Sequence, residues 1–169
     1  QTCALPILLG SADTRIRTVI SVGDLTGTGK LSIDAGGHLI TSGTGSLGGL
    51  QLQSVSQLTN SGRLVATGAS SWVGSTLRGT GVTRIEGPFS IGGNFFDATP
   101  TLVNSHTLEL AGTTTYTGQR GLSVGDGATL VNQGQWIDQS PNDVTMGNFN
   151  GGSGRLLNQG TFTKASNTR

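Results

Sequence analysis

One seven-residue pattern constrains this chain more than any other feature. Leu58-Thr59-Asn60-Ser61-Gly62-Arg63-Leu64, Leu102-Val103-Asn104-Ser105-His106-Thr107-Leu108, Leu130-Val131-Asn132-Gln133-Gly134-Gln135-Trp136 and Leu156-Leu157-Asn158-Gln159-Gly160-Thr161-Phe162 align without gaps. The pattern is Leu-x-Asn-x-Gly-x-apolar, with His106 once in the glycine slot. A degenerate copy, Ile33-Asp34-Ala35-Gly36-Gly37-His38-Leu39, puts Asp34 in the Asn slot. Slot positions 34, 60, 104, 132 and 158 stand 26, 44, 28 and 26 residues apart. The step of 44 divides into two of 22, with a decayed copy near Ile85-Glu86-Gly87. A repeat of 22 to 28 residues has the length of a solenoid coil.

The local pattern decides which solenoid. Helical repeats need apolar residues at i, i+3, i+4 and i+7, and Gly, Ser, Thr and Asn interrupt almost every such window. Lys30-Leu31-Ser32-Ile33, Pro88-Phe89-Ser90-Ile91 and Thr107-Leu108-Glu109-Leu110 alternate instead, with the period of two of a half-buried strand. Turn signals such as Ala35-Gly36-Gly37, Gly92-Gly93-Asn94, Gly125-Asp126-Gly127 and Asn150-Gly151-Gly152 separate them. Three short strands and three turns fill one coil, so the chain is read as an all-β protein, a parallel β-helix. In that fold Leu58, Leu64, Leu102, Leu108, Leu130, Trp136, Leu156 and Phe162 are expected to point into the core. Asn60, Asn104, Asn132 and Asn158 are expected to form one corner ladder of bonded amides. Gly62, Gly134 and Gly160 are expected to supply positive φ at the bend, with His106 filling the same slot.

Composition supports the reading by exclusion. The 169 residues include 29 Gly, only 11% charged residues and 33% apolar residues, with a net charge of +1. The glycines lack a three-residue period and there are four prolines, which excludes collagen. No apolar run approaches the ~20 residues of a membrane-spanning helix. Scattered charge gives no basic surface for nucleic acid. Gln1-Thr2-Cys3-Ala4-Leu5-Pro6-Ile7 resembles the in-frame translation of a sequencing-library adapter, so residues 1–7 are expected to be a non-native leader. Residues 8–24 then form an entering segment, and residues 25–169 a single β-helix segment truncated at both ends. Without Cys3, its one cysteine, the chain has no disulfide framework and no Cys-ligated zinc site.

These coils, with stretches such as Leu110-Ala111-Gly112-Thr113-Thr114-Thr115-Tyr116-Thr117-Gly118, resemble the passenger repeats of bacterial autotransporters and filamentous-haemagglutinin-type adhesins. The resemblance covers roughly residues 25 to 165. It implies a segment of a large secreted β-helix protein, exported through an outer-membrane pore and displayed on the bacterial surface. Such a segment acts as an adhesive and structural stalk, without catalysis or cofactor. Its implied partners are host-cell or matrix glycans and proteins and neighbouring coils of the same longer chain, with no membrane insertion by this segment. The other functional class is an extracellular carbohydrate-active β-helix, either a polysaccharide lyase or hydrolase or a carbohydrate-binding module.

Candidate chemistry is sparse. Gly121-Leu122-Ser123-Val124-Gly125 has the nucleophile-elbow string but is followed by Asp126-Gly127 and no helix. Gly27-Thr28-Gly29-Lys30 lacks the upstream glycine of a phosphate loop, and Leu31 stands where Ser or Thr would bind magnesium. Gly125-Asp126-Gly127 lacks the tandem nonapeptide of a calcium β-roll, and His38 and His106 have no metal-ligand spacing. A glycan-cleaving site needs converging carboxylates. Glu109 and Ile137 both fall five positions after the Asn slot, so the acids do not recur, and Asp138 and Asp143 could meet only through the loop around Pro141. Trp72, outside the repeat slots, is either a packed ring or a sugar-stacking platform. Thr113-Thr114-Thr115 could seed a flat Thr array, with Thr161 and Thr163 as its partial echo.

Overall fold

The computed structural model describes residues 6–94, 96–141, 146–147 and 152–165. The chain winds as an all-β parallel solenoid of about seven turns, without helix among the described residues. Each coil visits three sheets in order. Sheet 1 runs from Ile7–Leu8 to Arg155–Asn158, sheet 2 from Thr14–Ile16 to Thr161–Lys164, and sheet 3 from Val19–Val22 to Met146–Gly147. The first coil therefore starts within the segment the sequence reading set before residue 25: Ile7 pairs with Leu25, Thr14 with Leu31 and Val19 with His38.

The alternation explains the packing. In sheet 3, Ile20, Leu39, Leu58, Leu77 and Leu102 stack inward in one column. In sheet 1, Leu64, Thr83, Leu108, Leu130 and Leu156 do the same. Sheet 2 stacks Ile33, Leu52, Trp72, Ile91 and Tyr116, and its column then changes character to Asp138 and Lys164. Leu58, Leu64, Leu102, Leu108, Leu130 and Trp136 are all at most 1% exposed. Each such leucine contributes roughly 1.5–3 kcal/mol by leaving water. Leu156 and Phe162 face the same columns but are 46% and 45% exposed, because no described coil lies over theirs. Phe162 still stacks on Trp136, with ring centroids 5.9 Å apart.

The repeat period needs correction. Early coils are shorter than 22 residues, since Leu39 pairs with Leu58, and Leu58 with Leu77, nineteen positions on. Leu77 then pairs with Leu102, twenty-five on, because residues 93–100 are an insertion between sheets 2 and 3. Leu108 pairs with Leu130 and Leu130 with Leu156, twenty-two and twenty-six on. The pattern Leu-x-Asn-x-Gly-x-apolar also does not mark one corner. Leu58 and Leu102 belong to sheet 3, whereas Leu130 and Leu156 belong to sheet 1, and Asp34 follows a strand of sheet 2. Leu64 and Leu108 in sheet 1 likewise differ in place from Trp136 and Phe162 in sheet 2. A strand, a bend and a second strand need the same chemistry at all three corners, so the motif recurs at each. The copy between Asn60 and Asn104 is Leu77-Arg78-Gly79 rather than Ile85-Glu86-Gly87.

The bend glycines act by close approach and not by positive φ. Gly62, Gly134 and Gly160 lie outside the positive-φ set. A Cβ on Gly134 would run into the carbonyl oxygen of Gly112, and one on Gly160 into that of Gly134. The same relation extends back through Gly87, Gly68 and Gly48, so one glycine per coil lines the corner from sheet 1 to sheet 2. Gly62 stands in a second such row, over Gly43 and under Gly81, at the corner from sheet 3 to sheet 1. His106 stands in the row of Gly62 and Gly81, since the Val82 N–H donates to the Gly62 carbonyl, Thr107 N–H to Gly81 and Thr129 N–H to His106, but it is not in the row of Gly134 and Gly160. Asn104 and Ser105 take the left-handed conformation, both at φ 59°, and His106 turns its ring inward.

Candidate functional site

The four asparagines do not form one ladder. Asn132 donates through Nδ2 to Asn158 Oδ1 at 2.7 Å and to the Thr161 carbonyl at 2.8 Å. Asn60 is a coil corner away and fully buried. Its Nδ2 donates to the Val82 carbonyl at 2.9 Å, and its Oδ1 accepts from the Gly62 amide at 2.9 Å. Asn104 is exposed, in a left-handed turn. Register divides them into two pairs: Asn60 and Asn104 follow the partnered Leu58, Leu77 and Leu102 of sheet 3, with Gly79 between them, whereas Asn132 and Asn158 pair at the ends of sheet 1 strands. The buried polar pocket instead joins Asn60, Thr83 and His106. His106 Nε2 lies 3.0 Å from Thr83 Oγ1 and Asn60 Nδ2 lies 3.4 Å from the same oxygen. Burial pushes the His106 imidazole down to about 4, against weaker opposing bonds to the Asn60 and Gly79 backbone, so it is neutral at neutral pH.

The chemistry-bearing cluster nearest to a catalytic constellation is Asp138, Ser140 and Lys164. Ser140 Oγ donates to Asp138 Oδ1 at 2.7 Å, and Lys164 Nζ donates to Ser140 Oγ at 2.8 Å and reaches Asp138 Oδ1 at 3.1 Å. Burial raises the Asp138 pKa, but the Ser140 hydroxyl and amide and Lys164 outweigh it and hold the carboxyl below its ordinary value. Ser140 is 0% exposed, so its oxygen is closed to an incoming substrate. The geometry is a satisfied polar plug in an inward column, with the lysine bonding the hydroxyl rather than freed as a base. Asp143, the proposed companion of Asp138, lies outside the described residues.

Elsewhere Glu86, Glu109 and Asp34 are neutralised by arginines, the last two across coils. Arg84 spans Glu86 and Glu109 at 3.0 and 3.2 Å on the outer face of sheet 1, and Arg63 approaches Glu109 at 3.6 Å. Arg17 binds Asp34 at 2.8 Å. Among the described residues no cluster of three metal-ligating side chains occurs. Trp72 is a core ring, 0% exposed, with Nε1 donating to the Ser75 carbonyl at 3.0 Å. Thr113 and Thr115 pair with Gln135 and Ile137, and those with Thr161 and Thr163, so the threonine rows alternate with an amide and an apolar side chain.

A cleft of about 540 Å³ lies on the outer face of sheet 3. Its floor carries Gln57 and Thr76, paired across neighbouring coils, and Arg78. The 93–100 insertion raises one wall through Ala98 and Thr99, and the Ala98 amide is tied to Ser54 Oγ at 3.2 Å. Asn104 and Val55 line it as well. Val55 is a β-branched residue at φ 64° and is 68% exposed. It holds the turn position that Gly36 and Gly74 fill in adjacent coils, since Gly36 N–H donates to the Val55 carbonyl and Val55 N–H to the Gly74 carbonyl. Arg78 is oriented from below: its Nε donates to Thr59 Oγ1 at 3.0 Å, and that hydroxyl stands 2.8 Å from His38 Nε2. Burial, then the Arg78 charge, lowers the His38 pKa, so neutral His38 accepts the Thr59 proton while Thr59 accepts from Arg78.

Sequence reasoning missed this cleft because its residues sit nineteen apart on successive coils. The row His38-Leu39-Ile40, Gln57-Leu58-Thr59, Thr76-Leu77-Arg78 holds the signal, in the even spacing of Leu39, Leu58 and Leu77. Set beside protein-family models, curated proteins and solved structures, the chain matches none of them, and its function is read from the geometry described above.

Proposed function

We propose that this chain is a segment of a secreted or surface-displayed bacterial β-helix protein, a stalk with adhesive capacity and no catalysis of its own. The observation that carries the reading is the continuity of the three parallel sheets, whose inward columns pass from coil to coil. Such a body resists bending and presents side chains at fixed intervals of ~4.8 Å. About seven turns make a rod section of roughly 34 Å at that rise. The acids support the same reading, since Glu86, Glu109, Asp34 and Asp138 each hold a cation of the fold.

The test pairs adhesion with turnover. Beads coated with the chain should be retained on glycan- or matrix-coated surfaces more than beads coated with a heat-unfolded sample. Incubation with pectin, hyaluronan, chondroitin and xylan should release neither reducing ends nor unsaturated uronate absorbance. Turnover that disappears in Asp138→Asn would replace the stalk with an enzyme. The sheet 3 cleft favours a second reading, a carbohydrate-binding module, which predicts retention on glycan surfaces alone.

A further inference from the structure

We infer that the sheet 3 cleft binds a carboxylate-bearing sugar, with the Arg78 guanidinium as the carboxylate receptor. The inference rests on the adhesive reading only in assuming a surface that binds without cleaving.

Charge is the first argument. Arg17, Arg63, Arg84 and Lys164 each meet a carboxylate, whereas Arg78 is engaged by the Thr59 hydroxyl and by no acid. The strands of sheet 3 from Val19 to Val124 place no Asp or Glu on their outer face. Asp97, on the insertion, turns its carboxylate back onto the Asn94 amide at 2.7 Å. Because Thr59 holds Nε, the two terminal nitrogens point away along the remaining edge of the guanidinium, and that edge takes a carboxylate in a bidentate fashion. The arginine is oriented in advance by Thr59 and His38, which lowers the ordering cost of binding.

The rest of the lining selects the body of the ligand. Gln57, Thr76 and Asn104 offer amide and hydroxyl groups that both donate and accept. These match ring hydroxyls, which have the same dual character. An extended acidic peptide is recognised chiefly through main-chain bonds to a free sheet edge. Sheet 3 offers none at the cleft, because the strand Thr76–Arg78 is paired on both sides, by Gln57–Asn60 and Thr101–Leu102. Recognition there falls to side chains. The volume of about 540 Å³ lies within the ordinary range for small-ligand sites. Val55 adds an apolar rim at the cost of a left-handed backbone, a kind of strain that gathers at binding sites.

The experiment titrates the intact chain with di- to tetragalacturonate, following heat by calorimetry and amide shifts by NMR. Galactose oligomers of equal length and a glutamate-rich decapeptide serve as the other probes. The expected result is saturable binding of the galacturonate, with shifts centred on Gln57, Thr76 and Arg78. Arg78→Gln should weaken it about ten- to a hundredfold, the loss of one charge-assisted bidentate contact. Arg63→Gln, on sheet 1, should leave it unchanged. Thr76→Val, which keeps the guanidinium, should weaken it less than Arg78→Gln and covers the case in which Arg78→Gln fails to fold. No galacturonate binding by the wild-type chain, equal affinity in Arg78→Gln, or tighter binding of the peptide would each overturn the inference. Bead adhesion that persists in Arg78→Gln while galacturonate binding is lost supports the cleft and leaves the stalk reading intact. Galacturonate binding with no bead adhesion supports the cleft and overturns the stalk reading alone.

Discussion

Asn60→Ala is the substitution that separates a buried corner amide from a turn preference. Asn60 is fully buried and serves two backbone groups at once. Its Nδ2 reaches the Val82 carbonyl and its Oδ1 holds the Gly62 N–H, each at 2.9 Å. Removing the amide abolishes both bonds and leaves the Gly62 N–H without a partner inside the corner. One orphaned buried donor costs about 1–3 kcal/mol, and the second lost bond adds about 1 kcal/mol, so about 2–4 kcal/mol is expected. Asn132→Ala should cost about 1–2 kcal/mol, because its partner Asn158 is exposed and can bond water instead. Asn104→Gly should stay within about 0.5 kcal/mol or stabilise slightly, since Asn104 is exposed at φ 59° and glycine takes that backbone freely. Urea melts read as midpoint shifts at constant slope give all three values. Equal losses at Asn60 and Asn104 would refute the assignment of the load to the buried corner, and a larger loss at Asn132 than at Asn60 would restore a single ladder.

Three further outcomes follow from named contacts. Gly134→Ala should cost about 2–3 kcal/mol by forcing the coil away from the Gly112 carbonyl, whereas Gly36→Ala, with open space around it and only φ 79° to oppose it, should cost about 1 kcal/mol; denaturant midpoints of the two variants compare them. Stability should fall as pH drops below about 6.5, because His106 is held near 4 in the folded chain and ordinary when unfolded, so the unfolded state takes up the proton first. The loss should grow down to about pH 4 and then level off for this group, and in His106→Gln the urea midpoint should slope less between pH 7 and 5. Val55→Gly should stabilise the fold by up to about 1 kcal/mol, read as a higher urea midpoint, since it relieves a left-handed β-branched residue that is mostly exposed; destabilisation instead would mean that the valine packs.

The coil architecture was legible because alternation and turn residues act locally. Leu31 and Ile33, or Leu108 and Leu110, announce an inward face wherever they stand. The inward placing of Leu58, Leu102 and Leu130 follows from the same rule. Register was not legible, because it depends on which corner a strand leads to, and the Leu-x-Asn-x-Gly pattern suits more than one. Trp72 shows the limit from the other side: no repeat slot marks it, yet it continues the column of Leu52 and Ile91. The cleft was hidden for a third reason. A lone arginine has no local signature, and its partners Thr59 and His38 reach it only once coils of nineteen residues stack.

The unequal coil lengths have a mechanical consequence. In a parallel solenoid the hydrogen bonds between coils run along the axis, so a pull in that direction strips one turn at a time instead of shearing many bonds together. Each nineteen-residue turn that detaches lengthens the tether by about 60 Å, and the turns of twenty-five and twenty-six residues by about 80 Å. Under tension the section is thus a ratchet of graded steps, extending many times its folded length while the remaining turns keep their shape. A surface-tethered filament built this way would dissipate sudden load turn by turn before the whole section gave way.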